Sequence, residues 1–289
     1  MTAQLSVIIP LYNGERTIGP LLESLALQEE AAEWEVVIAD NGSTDGGLAI
    51  VEDWRSRLPS LRVVDSSERS GTAHARNFGA RAAHGSALVF IDHDDVVGAG
   101  YIAAMAAALR SHQFVCARSD VERLNPEWTW ALRPSGQSDG PMMWIYDFLP
   151  YAAGGTIGIK RSVFEAVGGF DESIHLADCC DLCWRVQLDT PVELTFAPEA
   201  VLHYRYRHSL RGMFAQARGY GRAEVGMYRR YRDRGVGRIP LRQSFGRWVR
   251  IVRRLPSLRH RTGRAWWFTE FGNMIGRLEG SVADRTLML

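Results

Sequence analysis

The first hundred residues alternate short apolar runs with stretches of helical periodicity. "LSVIIPLY" (5–12) is an apolar, β-branched run closed by Asn13-Gly14, and "WEVVIAD" (34–40) is a second one closed by "NGSTDGG". Runs of this length bounded by turn residues predict buried strands. A short strand follows in "LRVVDS" (61–66), and another in "SALVFID" (86–92). Between them, "GERTIGPLLESLALQ" places Ile18, Leu21, Leu22 and Leu25 at helical spacing, while "GLAIVEDWRSRL" and the small-residue-rich "GTAHARNFGARAAHG" read as two more helices. Apolar strands separated by helices predict an α/β domain with a mostly parallel, Rossmann-like sheet covered on both faces. In such sheets ligands sit outside the carboxyl ends of the strands. Each predicted strand here ends in polar residues: Tyr12-Asn13, Asp40-Asn41, and Asp92-His93-Asp94-Asp95.

Further along, "VVGAGYIAAMAAALR" (96–110) reads as a helix. Residues 120–153 mix aromatics, Pro and Gly and read as loops suited to a substrate-facing wall. "KRSVFEAVGGFDES" reads as a helix stopped by Gly168-Gly169, "DLCWRVQL" as another, and "VELTFAPEAVLHYRY" as one or two late strands. Beyond residue 208 the chain reads as helical and basic.

Composition changes this picture little, and charge distribution changes it more. The 289 residues carry a net charge of only +1, and 46% are hydrophobic, enough for a sizeable core. From His203 to Arg264, however, eighteen arginines face two acids, Glu224 and Asp233. The opening residues lack a basic, then long apolar segment, so no signal peptide is expected. No apolar run reaches membrane-spanning length, and the expected location is the cytoplasm. Three of the four cysteines crowd into "DCCDLCW", with the fourth at Cys116. That is poor geometry for a disulfide framework. His175 with Cys179, Cys180 and Cys183 suggests zinc, but structural zinc sites draw on separate chain segments, and buried free thiols are the better reading.

The chemistry centres on the strand ends. Asp40 can accept a hydrogen bond from a ribose hydroxyl or a base imide, or it can close an Asx-turn ahead of a helix. Asp92 and Asp94 are two apart and share a face if extended. Clustered carboxylates repel one another. A hard cation, Mg²⁺ or Mn²⁺, would relieve that repulsion and keep positions open for phosphates. The competing role for Asp94 or Asp95 is to cap the helix that follows.

Taken in order, these segments resemble a family 2 glycosyltransferase of the GT-A fold. "SVIIPLYNGERTIGPLLESL" resembles the family's opening strand–turn–helix, and "EVVIADNGSTDG" its nucleotide-base motif. "GTAHARNFGARAAHGSALVFIDHDD" resembles its helix, strand and D-x-D, and "GGTIGIKRSVFEAVGGFDES" its acceptor-side segment. The resemblance covers about residues 5–206. It implies a GT-A-like domain over 1–208, nucleotide-binding through 100 and acceptor-facing from 101 to 208, followed by a basic helical region over 209–289. It implies metal-dependent transfer of a sugar from a UDP-, GDP- or dTDP-sugar donor to an acceptor hydroxyl, with inversion, in polysaccharide, glycolipid or secondary-metabolite glycosylation. Pro10, Tyr12, Asn13 and Glu15 would line the nucleotide pocket. Asp40 would bind the base, Arg76 the nucleotide, and Asp92 would lie near the ribose. Asp94 would hold the metal, and His203 would complete the metal or diphosphate site. His93 fills the variable slot of the D-x-D, where it either narrows donor choice or points to solvent.

One motif departs from the family. "ADCCDLCWR" aligns through Asp181-Leu182 and Arg185, which puts Asp178 at the usual Glu and Cys179 at the usual general base. A thiol of ordinary pKa, about 8.5, is mostly protonated at neutral pH. Either Asp178 is the base after a small backbone shift, or Asp181 is, or the chemistry is impaired. The last reading leaves a catalytically weak sugar-nucleotide-binding protein. A nucleotidyltransferase is a further alternative, disfavoured because residues 1–30 contain no lysine. The basic tail interleaves arginines and aromatics. It suits helices lying on an anionic membrane surface, a helical cap on the sheet, or a grip on an anionic acceptor. Nothing else supports nucleic acid as a partner.

Overall fold

The computed structural model describes residues 4–28, 33–58, 60–130, 137–144 and 146–288. Parts of the 120–153 stretch, at 131–136 and 145, therefore lie outside the described residues. In chain order the elements are β1 (Leu5–Leu11), α1 (Ile18–Ala26), β2 (Trp34–Asp40), α2 (Gly47–Asp53), β3 (Arg62–Asp65), α3 (Thr72–Ala82), β4 (Ala87–Phe90), β5 (Val96–Val97), α4 (Tyr101–Ser111) and β6 (Phe114–Asp120). They continue with α5 (Glu127–Trp130), β7 (Ile157–Lys160), α6 (Arg161–Ala166), α7 (Asp178–Asp189), β8 (Thr195–His203), α8 (Leu210–Tyr231), α9 (Leu241–Arg253) and α10 (Arg261–Ala283).

The chain divides into two compact units. The first comprises residues 1–120, 135–142 and 150–205, and the second comprises 121–134, 143–149 and 206–289. The first is an α/β unit built on one eight-stranded sheet of order β3-β2-β1-β4-β7-β6-β8-β5. Its β3-β2-β1-β4 half is parallel throughout. β7 runs antiparallel to both β4 and β6, β6 is parallel to β8, and the two-residue β5 is antiparallel to β8. Alternation along the strands builds two cores. Leu5, Val7, Ile9 and Leu11 of β1 join Val36, Ile38, Val89 and Ile91 under α1, α2 and α4. Ile8, Val37, Leu88 and Phe90 face the other way, onto α3, α6 and α7. A strand with both faces buried reads as a continuous apolar run, which is why β1, β2 and β4 stand out in the sequence.

Three expectations are corrected. The apolar "VV" at 96–97 is a strand paired with His203 and Leu202. The helix after it starts only at Tyr101, behind a left-handed Gly100 with no side-chain cap. Neither Asp94 nor Asp95 caps it. Residues 114–120 and 157–160, not read as strands, are β6 and β7. The stop at Gly168-Gly169 is as read: both have positive φ, and their N–H groups reach back to Glu165 and Phe164 carbonyls at the end of α6. This left-handed termination is glycine's usual role.

At the edge of the sheet opposite the strand ends, Glu35 is 1% exposed. Burial alone would raise its pKa, but hydrogen bonds from Ser6, the His84 N–H and Arg62, with Arg62's charge, outweigh it and hold the carboxyl at about 2.

The second unit is helical. α8 and α10 touch through glycines: a Cβ on Gly221 would sit 2.0 Å from the Asn273 carbonyl, and one on Gly276 would sit 1.9 Å from the Arg218 carbonyl. Between the two helices Arg277 and Glu224 form a buried ion pair at 3.1 Å, and Asn273 donates to Glu224 at 2.9 Å. Among the described residues, no helix is long and apolar enough to cross a membrane.

Glu35 gives a pH prediction. Its folded pKa of about 2 lies below the ordinary 4.5. The stabilisation is therefore complete above 4.5 and is lost as the pH falls through about 2, a change on the order of 3 kcal/mol. Urea unfolding of wild type and Glu35→Gln should show a large stability gap at neutral pH that closes in acid. A gap independent of pH would contradict this assignment.

Candidate active site

The parallel register lines up three strand ends. Leu11 lies beside Asp40, and Ile8 beside Phe90. Continuing that register brings Pro10 level with Asp92. With neighbouring strands about 4.8 Å apart, Asp40, the Tyr12-Asn13 turn and Asp92 form one row on the carboxyl edge. Pro10 is buried within β1, whereas the Tyr12 ring is 58% exposed beyond it.

The loops after these strands are laced to one another by side chains. Asn13, at φ +51°, donates its N–H to Ser43 Oγ and accepts from the Thr44 N–H at 2.9 Å. The Glu15 N–H donates to Asp45 at 2.9 Å, and the Glu15 carboxylate accepts from the Gly46 N–H. Asp40 accepts through both oxygens from the Ser43 N–H, three residues on rather than the two of an Asx-turn, and so closes the loop after β2. Asn41 donates to the Ser66 and Arg69 carbonyls and accepts from the Gly71 N–H, fastening the loop before α3. Asn41 was not singled out in the sequence, where it looks like an ordinary turn residue. His93 neither faces solvent alone nor stands at an open edge: its Nδ1 lies 3.0 Å from Thr17 Oγ1 at the start of α1.

Arg76, on α3, is the hub. It is 4% exposed. One guanidinium nitrogen donates to Asp92 at 2.6 Å and the other to Asp178 at 2.8 Å. The group lies 5.2 Å over the Phe170 ring. Its Nε has no partner. Burial opposes its charge, but Asp92 and Asp178 more than compensate and raise its pKa. Gly154 presses against this guanidinium; a Cβ there would fall 2.4 Å from the Asp178-free nitrogen that holds Asp92. Gly154 and Phe170 lie in the segment "GGTIGIKRSVFEAVGGFDES", but their contact with Arg76 is not legible there because it arises only in the third dimension.

Asp178 opens α7 behind Ala177, which takes the left-handed conformation at φ +69°. Burial raises the Asp178 pKa, the nearby Asp92 adds to the rise, and Arg76 holds it back. Cys179 is pushed up to about 12, chiefly by burial and then by Asp178. At neutral pH it is a thiol. Asp181 is fully buried and accepts from Arg185 at 2.7 Å, while Arg185 also ties the Val167 and Gly169 carbonyls. That arrangement fastens α7 to the end of α6. All four cysteines are free.

The acidic loop is held from β8. Asp95 is fully buried and accepts from the Arg205 N–H at 2.9 Å, and Arg205 Nε donates to the Asp94 carbonyl at 2.7 Å. Burial, with Asp94 and Asp92 nearby, pushes the Asp95 pKa up, and its Oδ2 has no hydrogen-bond partner. His203 Nδ1 lies 2.5 Å from Asp120. The structure thus brings Asp92, Asp94, Asp95 and Asp178 into one acidic neighbourhood, with the Arg76 guanidinium bridging Asp92 and Asp178 and that of Arg205 bound to the Asp94 carbonyl.

Does this neighbourhood suit a hard divalent cation? It offers carboxylate oxygens, an orphaned buried oxygen and an excess of negative charge, which is oxygen-donor chemistry for Mg²⁺ or Mn²⁺. Among the described residues no three His, Cys, Asp or Glu side chains converge to hold an ion by themselves. Such ions commonly take one or two carboxylates and complete their shell with substrate phosphates and water. The residues fit that mode.

Comparison with known proteins agrees with this geometry. The family model described as "Glycosyl transferase family 2" matches residues 6–168. The chain is 39% identical over 109 residues to the poly(ribitol-phosphate) β-N-acetylglucosaminyltransferase TarS of Staphylococcus aureus, covering 37% of this chain and 19% of that protein. It is 27% identical over 240 residues to the pre-mycofactocin glycosyltransferase of Mycobacterium tuberculosis, covering 79% of this chain and 48% of the relative. The chain spans less than half the length of these two curated relatives. Among solved structures, the mannosyltransferase PcManGT of Pyrobaculum calidifontis, in complex with GDP-Man and Mn²⁺, superimposes with a TM-score of 0.63 at 20% identity, covering 100% of this chain and 77% of that one. TarS residues 1–349 with UDP-GlcNAc give a TM-score of 0.56 at 20% identity, over 99% of this chain and 93% of that one. At these identities the likeness establishes the fold.

The packing of Gly154 predicts that Gly154→Ala displaces the Arg76 guanidinium. The expected loss is about 1–3 kcal/mol of stability, as for other overpacked sites, read as a lower melting temperature. A variant that melts with the wild type would show that Arg76 moves aside freely.

Proposed function

The chain belongs to glycosyl transferase family 2, and we propose that it transfers a sugar from a nucleoside-diphosphate donor to an acceptor hydroxyl with Asp178 as general base. The observation that carries this reading is the Arg76 bridge, which joins the donor-edge carboxylate Asp92 to Asp178 on the adjacent helix. Both PcManGT and TarS have structures in complex with a nucleotide-sugar, which supports a donor of that class here.

In this reading Asp40 receives the base at the end of β2, within the frame set by Pro10, Tyr12, Asn13 and Glu15. Asp92 faces the ribose side, and Asp94 with His203 would hold the cation, His203 being oriented by the contact of its Nδ1 with Asp120. A bound Mg²⁺ or Mn²⁺ would supply Lewis-acid neutralisation of the diphosphate as it leaves. PcManGT is solved with Mn²⁺, in keeping with that choice. Arg76 acts as a positioning residue: it aims Asp178 and holds back part of the pKa rise that burial brings. Asp178 takes the proton from the acceptor oxygen as that oxygen bonds to the anomeric carbon. The bond from that carbon to the diphosphate oxygen breaks on the opposite side, inverting the centre. Cys179, a neutral thiol, takes no proton, and Asp181 is occupied in fastening α7. The basic C-terminal helices meet an anionic membrane surface, where the acceptor is carried, in polysaccharide, glycolipid or related glycosylation.

The rival reading, a weakly catalytic sugar-nucleotide-binding protein, is motivated by the protonated Cys179 at the family's base position. One experiment separates the two. Asp178→Asn should cut nucleoside-diphosphate release from a turned-over donor by about two to four orders of magnitude, while donor binding stays at the wild-type level. Transfer at the wild-type rate in this variant would move the base elsewhere, and absence of turnover in the wild type with any acceptor would favour the rival.

A further inference from the structure

Within the second unit, α9 packs onto α10 along one side only. Ser244 and Ile251 are buried, Arg247 pairs with Glu270 at 3.0 Å, and Trp267 Nε1 donates to the Ile251 carbonyl at 3.1 Å. At about 100° per residue, Leu241, Phe245, Val249 and Val252 fall on a further stripe, with Trp248 at its border, edge-on to Phe271 of α10. Phe245 is 70% exposed, Val252 63% and Leu241 50%. Trp248, Val249 and these neighbours line a shallow apolar groove with Arg253 at its margin. A row of large apolar side chains left in water marks an interaction surface.

The flank of the stripe identifies the occupant. Arg242 and Arg253 follow it on the side away from α10, and both are exposed, as is Arg250 further round the helix. From residue 234 to 269 the chain carries ten arginines and no aspartate or glutamate. Arg254 lies 4.4 Å over the Trp266 ring, an arginine–tryptophan pair suited to an interface between water and hydrocarbon. An apolar ridge edged by uncompensated arginines fits a flat, anionic, partly apolar surface. A folded protein partner would need acids matched one by one to the arginines.

We infer that α9 is the membrane-seating element of this protein. Its Leu241–Phe245–Val252 ridge enters the headgroup–acyl boundary of an anionic leaflet, and Arg242 and Arg253 engage lipid phosphates. This rests on the proposed membrane association, and it assigns that association to one helix face and one depth. Binding of this kind combines buried apolar area with attraction to anionic lipid, so neither half suffices alone.

The test is co-sedimentation of the full chain with phosphatidylcholine vesicles and with phosphatidylcholine–phosphatidylglycerol vesicles at low and high salt. Wild type should bind the anionic vesicles only, and less at high salt. Phe245→Ser with Val252→Ser should weaken binding by about tenfold or more, since two exposed apolar side chains are worth at least that on burial. Arg242→Gln with Arg253→Gln should weaken it too and reduce the salt dependence. Both pairs are on the surface, and an unchanged melting temperature verifies the fold. Wild type that stays in the supernatant overturns membrane association altogether. Wild type that binds equally with and without the serine substitutions overturns the role of α9 alone. A self-associated wild type that turns monomeric on Phe245→Ser, with no vesicle binding, would assign the ridge to a second copy of the chain and also overturn the inference.

Discussion

The site depends on one guanidinium holding apart and together a set of carboxylates that would otherwise repel. Asp92, Asp94 and Asp95 arrive on a single loop because β4 ends there, and Asp178 arrives from α7. Arg76 sits between Asp92 and Asp178 in nearly complete burial. A buried arginine is costly unless its charge is met; here two carboxylates meet it, and Phe170 and Gly154 wall it in. Arg76 and Arg205 do not offset the whole loop: burial, with Asp94 and Asp92 nearby, still pushes the Asp95 pKa up. In the proposed function, a divalent cation would offset the same imbalance.

The rest of the first unit serves to hold this cluster at the sheet's edge. Side chains of Asn13, Asp40, Asn41 and Asp45 fasten successive loops. Rigid loops on a rigid sheet reduce the entropy lost when a ligand is ordered. Asp181 and Arg185 do the same for α7, tying it to the carbonyls that close α6. The second unit relies on a different device, close helix contact through Gly221 and Gly276 around a buried ion pair.

The sequence was most legible where burial is symmetrical. β1, β2 and β4 are apolar on both faces, so they read as strands without help from their neighbours. β6 was not legible, because Arg118 and Asp120 interrupt its apolar run, and β7 is only four residues long. "VVGAG" read as the start of a helix because Val96 and Val97 are apolar, but their partners in β8 lie a hundred residues away and claim them as a strand. At the site, spacing alone singled out Asp92 and Asp94. It could not separate Asp178 from Cys179 and Asp181, since one residue along a helix turns a side chain by about 100°. Only the packing of α7 against Arg76 and Arg185 distinguishes which carboxyl faces the donor edge and which is spent on the fold. Gly154 and Asn41 carried no chemical signal of their own.

The central claim is that the acidic strand edge is a cation-assisted nucleoside-diphosphate site. The most direct measurement is calorimetric titration of the purified protein with UDP, GDP and dTDP, each with and without Mn²⁺, on wild type and Asp94→Ala. The account predicts that one nucleotide binds tightly only when Mn²⁺ is present, and that Asp94→Ala abolishes this binding. Binding of no nucleotide under any condition, or equal binding with and without Mn²⁺ in both proteins, would contradict it.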